Sequence, residues 1–379
     1  MKEGIRFTRT SSSLCVNVIR NDQTIIDLFS TIEELLRNLI QEDIFIIADR
    51  KVLELYKDQM APLLQKHHIL GLDVSEHEKN WENLAKALDE VITSKISRKG
   101  AIVAVGGGVV TDMAGLAANL YFRGVRSILI PTTLLAMVDA AVGGKVAVNH
   151  PHQKNLLGAF YHPSKVMMAI EFLQTNDERQ MYSAAGEILK LSILSHTNLF
   201  SRIKNRPENW VGNADYLKEI ILLSAAEKLR MLGDNCFERN LRRPLNLGHT
   251  IGHPIEDITD FRVLHGEAVA YGLLIACHIS FQRGMLAQND FHRIYKVATS
   301  FGCTIQINGL DKEKLWKRIN RLIAQRGGKG LLFVLPIKIG KTEIVQNITK
   351  LELFTAIDEL KIMANHATSL NSSVNILSV

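Results

Sequence analysis

Three short, wholly apolar runs limit the folds open to this chain. Ile44-Phe45-Ile46-Ile47-Ala48 ends in Asp49, Ala101-Ile102-Val103-Ala104-Val105 ends in glycines, and Ser127-Ile128-Leu129-Ile130 ends in Pro131. None of them alternates apolar with polar residues, as a half-exposed strand does. Strands buried on both faces read as such continuous Val/Ile runs, and the longer helical stretches between them point to a parallel sheet covered on both sides. From about residue 170 helical periodicity takes over, with helices expected at 177–204, 214–232, 247–258, 265–284, 288–301 and 311–324. The expected fold class is therefore α/β. Residues 1–170 are expected to form a Rossmann-like parallel-sheet nucleotide-binding domain, and residues 171–379 an all-helical domain. Leu331–Pro336 reads as a strand or a buried turn, and the Ser/Asn-rich tail from Asn365 as frayed.

Bulk properties narrow the function. A chain of 379 residues can bury a large core. Its apolar runs are shorter than the roughly 18 to 20 residues that span a bilayer. Met1 to Thr10 carries charges and no signal-like apolar region, so a cytoplasmic location is expected. Cys15, Cys236, Cys277 and Cys303 are scattered without a CxxC pair and read as reduced thiols. The net charge of +6 is dispersed, with few aromatics among the basic residues. That pattern disfavours nucleic acid. Lys145, Lys154, Lys190, Lys228 and Arg242 instead fall inside motif-like segments, which suits a small anionic ligand.

Histidines supply the sharpest chemistry. Asn246-Leu247-Gly248-His249-Thr250-Ile251-Gly252-His253 is followed by Leu264-His265-Gly266-Glu267. On a helix, His249 and His253 share one face. Three histidines this close match a catalytic metal site, in which three protein ligands leave a position open. The pair is also compatible with an ordinary surface or half-buried contact. The residues between them are Thr-Ile-Gly, so the HExxH metalloprotease pattern is absent.

Gly106-Gly107-Gly108 follows the strand at 101–105 and opens a helix. Without side chains, backbone N–H groups can approach a pyrophosphate at the helix N-terminus, although a plain tight turn has the same look. The run is not GxGxxG. Gly143-Gly144-Lys145 and Lys154-Asn155 gather cations and an amide around a turn, suiting phosphate or carboxylate, or else form a solvated loop. Glu187 and Lys190 share a helical face within an apolar segment, so the acid needs either that lysine or a metal as its partner.

Taken in order, GGGVVTDMAG (106–115), YFRGV (121–125), PTTLLAMVDAAVGGK (131–145), KNLLGAFYHPSK (154–165), GEILK (186–190), NLGHTIGH (246–253) and LHGEAVAYG (264–272) resemble the 3-dehydroquinate synthase family and, more widely, the sugar-phosphate cyclases. SEHEK (75–79) resembles the family's segment at the adenosine end of the cofactor. Carried over by position, the resemblance implies Glu187, His249 and His265 as metal ligands, for zinc or alternatively cobalt. It implies NAD on the 106–108 turn, with Asp49, Glu76, Lys79, Asp112, Thr132, Thr133 and Lys154 around it. Asp139, Lys145, Lys190, Lys228, Arg242, Asn246 and His253 are the implied catalytic and substrate residues. Phosphate is assigned to Lys145, Asn155, Lys190 and His253, with Arg123 reaching a neighbouring subunit's substrate in a homodimer. The family's reaction oxidises a hydroxyl with NAD, eliminates phosphate, re-reduces the ketone and recloses the ring by aldol addition.

The implied substrate is a seven-carbon sugar phosphate, most closely 3-deoxy-arabino-heptulosonate 7-phosphate, giving 3-dehydroquinate. The family's Asp-Lys-Lys segment has no counterpart in Gln325-Arg326-Gly327-Gly328-Lys329-Gly330, and Arg243-Pro244 is similar to the valiolone-type cyclases. His253 and Gly143-Gly144-Lys145 are of the dehydroquinate type. An amino analogue and sedoheptulose 7-phosphate therefore stay open as substrates. Two further alternatives are a glycerol dehydrogenase-type polyol dehydrogenase and a non-catalytic NAD- or sugar-phosphate-binding protein.

Overall fold

The computed structural model describes residues 5–9, 13–18, 24–39, 43–151, 153–235, 237–240, 242–325, 330–370 and 375–379. The chain divides into two compact units, residues 1–177 with 209–237, and residues 178–208 with 238–379. The return of the chain to the first unit at 209–237 brings with it a helix that the sequence grouped with the helical half.

The first unit is built on one sheet, whose described strands are β1 (Ile5–Arg9), β2 (Ser13–Val18), β3 (Ile25–Phe29), β4 (Ile44–Asp49), β5 (His68–Leu72), β6 (Ala101–Gly106), β7 (Arg126–Pro131) and β10 (Lys165–Ala169). Their order is β1-β2-β3-β10-β7-β6-β4-β5. From β3 to β5 every pairing is parallel, and β1 and β2 extend the edge antiparallel. The three apolar runs are β4, β6 and β7, adjacent at the centre, and β6 is buried along its whole length. Helices α1 (Ile32–Leu36), α2 (Arg50–Leu55), α3 (Lys57–Leu64), α4 (Trp81–Ser94) and α5 (Gly108–Leu120) connect the strands. A separate antiparallel hairpin, β8 (Lys145–His150) and β9 (Gln153–Phe160), stands outside the sheet.

The second unit is mainly helical. It contains α6 (Glu178–Leu194), α7 (Leu199–Lys204), α9 (His249–Ile258), α10 (His265–Gln282), α11 (Gln288–Ser300), α12 (Lys312–Gln325) and α13 (Lys350–Leu370). The helix α8 (Ala214–Leu232) lies in the returning segment of the first unit. The span expected as one helix over 177–204 is two, broken at 195–198. Two small sheets interrupt the half expected to be all-helical. Leu331–Pro336 resolves into the strand β12 (Phe333–Lys338), paired antiparallel with β13 (Lys341–Val345). The tail is not frayed throughout, because α13 continues to Leu370 and β14 (Ile376–Ser378) pairs in parallel with β11 (Gln306–Asn308). Cys277 and Cys303 are free and buried, which pushes both thiols up and away from reactivity. Among the described residues, no helix is long and apolar enough to cross a membrane.

Candidate active site

In the first unit, β6 runs directly into the Gly106–Gly108 turn, and α5 begins at Gly108. Gly107 caps the helix without any side-chain hydrogen bond. The first-turn N–H groups of α5 therefore have no side chain competing for them, as an anion site requires. A Cβ on Gly107 would sit 3.3 Å from the Thr133 methyl, and one on Gly108 3.2 Å from Ala140, so bulk is excluded on the side of 132–140. Thr132 is buried and donates its N–H to the Gly106 carbonyl at 3.0 Å. Thr133 Oγ1 accepts from the Ala136 N–H at 3.3 Å, at the head of the π-turn Ala136–Ala140 that carries Asp139. From α8, Lys228 places Nζ 2.9 Å from Asp139 Oδ1 and donates to the Asp139 carbonyl at 2.6 Å. Asp49 closes β4 and caps α2 through Lys51 N–H at 2.9 Å, while burial pushes its carboxyl up.

A second polar cluster lies nearby in chain connectivity. Lys79, 3% exposed, has Nζ 2.5 Å from Asp112 Oδ2 and 2.6 Å from Asn155 Oδ1. Burial pushes the Asp112 carboxyl up, and the charge of Lys79 pulls it back. Lys154 Nζ lies 3.7 Å from Glu76. Gly143 and Gly144 take φ of +114° and +70°, values that suit glycine, and turn the chain into β8 so that Lys145 is exposed at its start. Arg123 is exposed too, with φ +64°, directly after Phe122 at φ +50°.

In the second unit, α6, α9 and α10 bring three expected ligands together. Glu187 is fully buried on α6. Its Oε1 lies 3.3 Å from His249 Nε2 and 3.5 Å from His265 Nε2. The close approach of α6 and α10 depends on two glycines. A Cβ on Gly186 would overlap the Gly266 carbonyl, and one on Gly266 would overlap the Ser183 carbonyl. On the other side of Glu187, Oε2 pairs with Lys190 of the same helix. Burial alone would raise this carboxyl, but Lys190 and His265 outweigh it and hold Glu187 well below the usual carboxylate range.

Ring orientation sets which nitrogens face Glu187. His265 Nδ1 lies 3.0 Å from Glu256 Oε2, and His249 Nδ1 lies 3.1 Å from the Leu247 carbonyl. Both partners accept, so each Nδ1 carries a proton, and in the neutral rings that bind a metal each Nε2 then presents its lone pair toward Glu187. Two lone pairs and a carboxylate oxygen thus converge within 3.5 Å. Such a set repels itself unless a cation lies among its members, which is the donor chemistry of a zinc-type site. His253, more exposed, has its ring centroid 5.1 Å from that of His249 and 5.7 Å from that of His265. The three imidazoles alone also come within metal-binding reach, with donor atoms inside 4.8 Å of one another. Glu187, His249 and His265 form a second candidate set, with a buried carboxylate in place of the third imidazole. Asn246 ends the 3-10 turn Pro244–Asn246, and exposed Arg242 donates to the Ile344 carbonyl at 3.3 Å.

Sequence reasoning passed over Glu256. It is 2% exposed and lies seven residues beyond His249 on α9, a helical spacing that would have flagged it as facing the same way. Arg326 and Lys329, in the segment without the Asp-Lys-Lys triplet, lie outside the described residues.

These features define a parallel-sheet α/β unit with an open helix N-terminus, joined in one chain to a helical unit with a histidine–carboxylate cluster. The chain belongs to the 3-dehydroquinate synthase family of sugar-phosphate cyclases. Residues 69–183 match the model of the 3-dehydroquinate synthase N-terminal region, and residues 184–322 that of the C-terminal region. A 2-epi-valiolone synthase of Actinosynnema mirum is 33% identical over 91% of this chain and 94% of its own length. A 3-dehydroquinate synthase of Helicobacter pylori is 34% identical over 82% of this chain and 90% of its own. The solved 2-epi-5-epi-valiolone synthase of Streptomyces hygroscopicus subsp. jinggangensis, with NAD+ and Zn2+ bound, superposes with a TM-score of 0.84 at 25% identity, covering 91% of this chain and 99% of that one.

Proposed function

We propose that this protein is an NAD- and zinc-dependent cyclase that eliminates phosphate from 3-deoxy-arabino-heptulosonate 7-phosphate and closes the ring to 3-dehydroquinate. The observation that carries the reading is the convergence of the His249 and His265 Nε2 atoms on the buried Glu187 carboxylate. The Streptomyces relative, solved with NAD+ and Zn2+, supports the same cofactors here. When bound, NAD supplies a transient oxidation, and the metal polarises the hydroxyl that is oxidised.

Glu187, His249 and His265 would hold the metal, and the 106–108 turn the dinucleotide. Asp49, Glu76, Lys79, Asp112, Thr132, Thr133 and Lys154 would surround that dinucleotide. By resemblance to the family, Lys145, Asn155, Lys190 and His253 are assigned to the phosphate, and their donors suit anionic oxygens. Arg123 is assigned to the phosphate of a partner subunit in a homodimer. Lys228 and Arg242 serve the carboxylate end, with Lys228 oriented by Asp139. The protein's own contribution is positioning and electrostatics.

A second reading is favoured by one observation. The 2-epi-valiolone synthase aligns over 94% of its length, so sedoheptulose 7-phosphate is the competing substrate. Phosphate release from zinc-loaded protein with NAD, measured on both sugars, decides between them. Release from the heptulosonate with no net NADH is expected. Release from sedoheptulose 7-phosphate alone selects the second reading, and net NADH accumulation selects a polyol dehydrogenase.

A further inference from the structure

The hairpin β8–β9 shifts register between Val148 and His150, and the residue at the shift is Asn149. Three residues of β9, 154–156, stand opposite Asn149 at this shift, so Asn149 is left out of the ladder. Here the freed backbone N–H donates to the Lys79 carbonyl at 2.7 Å. The side-chain amide is used at both ends. Nδ2 donates to the Glu76 carbonyl at 3.0 Å and to Glu76 Oε1 at 2.8 Å, while Oδ1 accepts from the Asn155 N–H at 2.8 Å. Asn155 itself takes φ +52° and receives the Lys79 ammonium on its own Oδ1.

Such a left-handed conformation at a residue with a Cβ persists when its surroundings hold it. Asn149 is one of the groups that hold it, and Asn149 is in turn held by the loop bearing Glu76 and Lys79. Few residue types would serve. Alanine leaves the Asn155 N–H without this acceptor, and aspartate sets a second carboxylate against Glu76.

We propose that Asn149 is a positioning residue that couples the two ligand sites of the first unit. Engagement of Glu76 and Lys79 by the dinucleotide favours the Asn155 conformation that takes phosphate, and phosphate favours dinucleotide in return. The inference rests on the cofactor and phosphate assignments made above. Whatever the first ligand fixes in this network need not be fixed again by the second, and such coupling is reciprocal.

Calorimetry on the zinc-loaded full-length protein tests it, titrating NAD with and without inorganic phosphate, and phosphate with and without NAD. In the wild type each ligand is expected to tighten the other by the same factor, about 5-fold or more. Asn149→Ala should bring that factor to about one while both ligands still bind. Asn149→Asp keeps the acceptor for Asn155 but faces Glu76 with like charge, so it should lose the coupling and regain it when Glu76→Gln is added. That pair of variants carries the test should the alanine variant fail to fold. Independent binding in a wild type that turns over heptulose phosphate overturns the coupling alone, as does an alanine variant that keeps the full factor. A wild type that binds no NAD and releases no phosphate from any heptulose phosphate overturns the cyclase reading, and the coupling with it.

Discussion

His265 Nδ1 donates to Glu256 Oε2 across 3.0 Å, and that single bond fixes which ring nitrogen of His265 faces Glu187. The partner is a buried carboxylate on the neighbouring helix, so the imidazole has one tautomer and one orientation. A carboxylate behind a histidine also raises its basicity toward a metal. Replacing Glu256 with alanine should therefore weaken zinc binding by about 10- to 100-fold, as measured by competition with a chromogenic chelator. Glu256→Gln, whose amide oxygen still accepts from Nδ1–H, should lose less. Equal zinc affinity in all three proteins would remove Glu256 from the site.

His249→Ala should abolish zinc retention and phosphate release together, because it deletes one of the two converging Nε2 lone pairs. Metal content after dialysis and turnover on the same sample check this. Full activity with metal retained would show that His253 completes the set instead.

Gly266→Ala should cost about 1–3 kcal/mol of stability and reduce zinc affinity as well, because the new methyl meets the Ser183 backbone. A chemical-denaturation midpoint and a zinc titration on one preparation report both losses. If α6 and α10 can separate without harm, the zinc affinity will be unchanged.

His278 is 3% exposed, lies 5.5 Å from Phe291 and 6.2 Å from Phe281 by ring centroid, and has no hydrogen-bond partner for Nδ1 among the described residues. Burial pushes its pKa below the ordinary 6.5. The unfolded chain then binds this proton more readily than the folded one, so the contribution of His278 is fully present above pH 6.5. It falls as pH drops below that value and levels off at the folded pKa. Urea midpoints across that window should show His278→Leu to be less acid-sensitive than the wild type. Parallel pH profiles would assign the acid limb elsewhere.

Much of this protein was legible from its residues. The continuous apolar runs at 44–48, 101–105 and 127–130 are the central strands, because burial on both faces leaves a local signature in each run. The spacing of His249, His253 and His265 brought the imidazoles together, and the ordered motifs carried the family. Other parts had no local signature. The strands β1 and β2 join the sheet through antiparallel pairing, and β14 finds β11 from a distant part of the chain. Such partners are chosen by tertiary packing rather than by periodicity.

The sequence by itself determined the secondary-structure plan, the residue types of the metal cluster and the family. Tertiary structure alone decided what each polar group meets. It returned α8 to the first unit, so that Lys228 meets Asp139, and set Glu256 behind His265. It also set Asn149 between Glu76 and Asn155. A side chain's type is written in the chain, but a hydrogen bond needs an oriented partner within about 3 Å, and that depends on how distant segments pack.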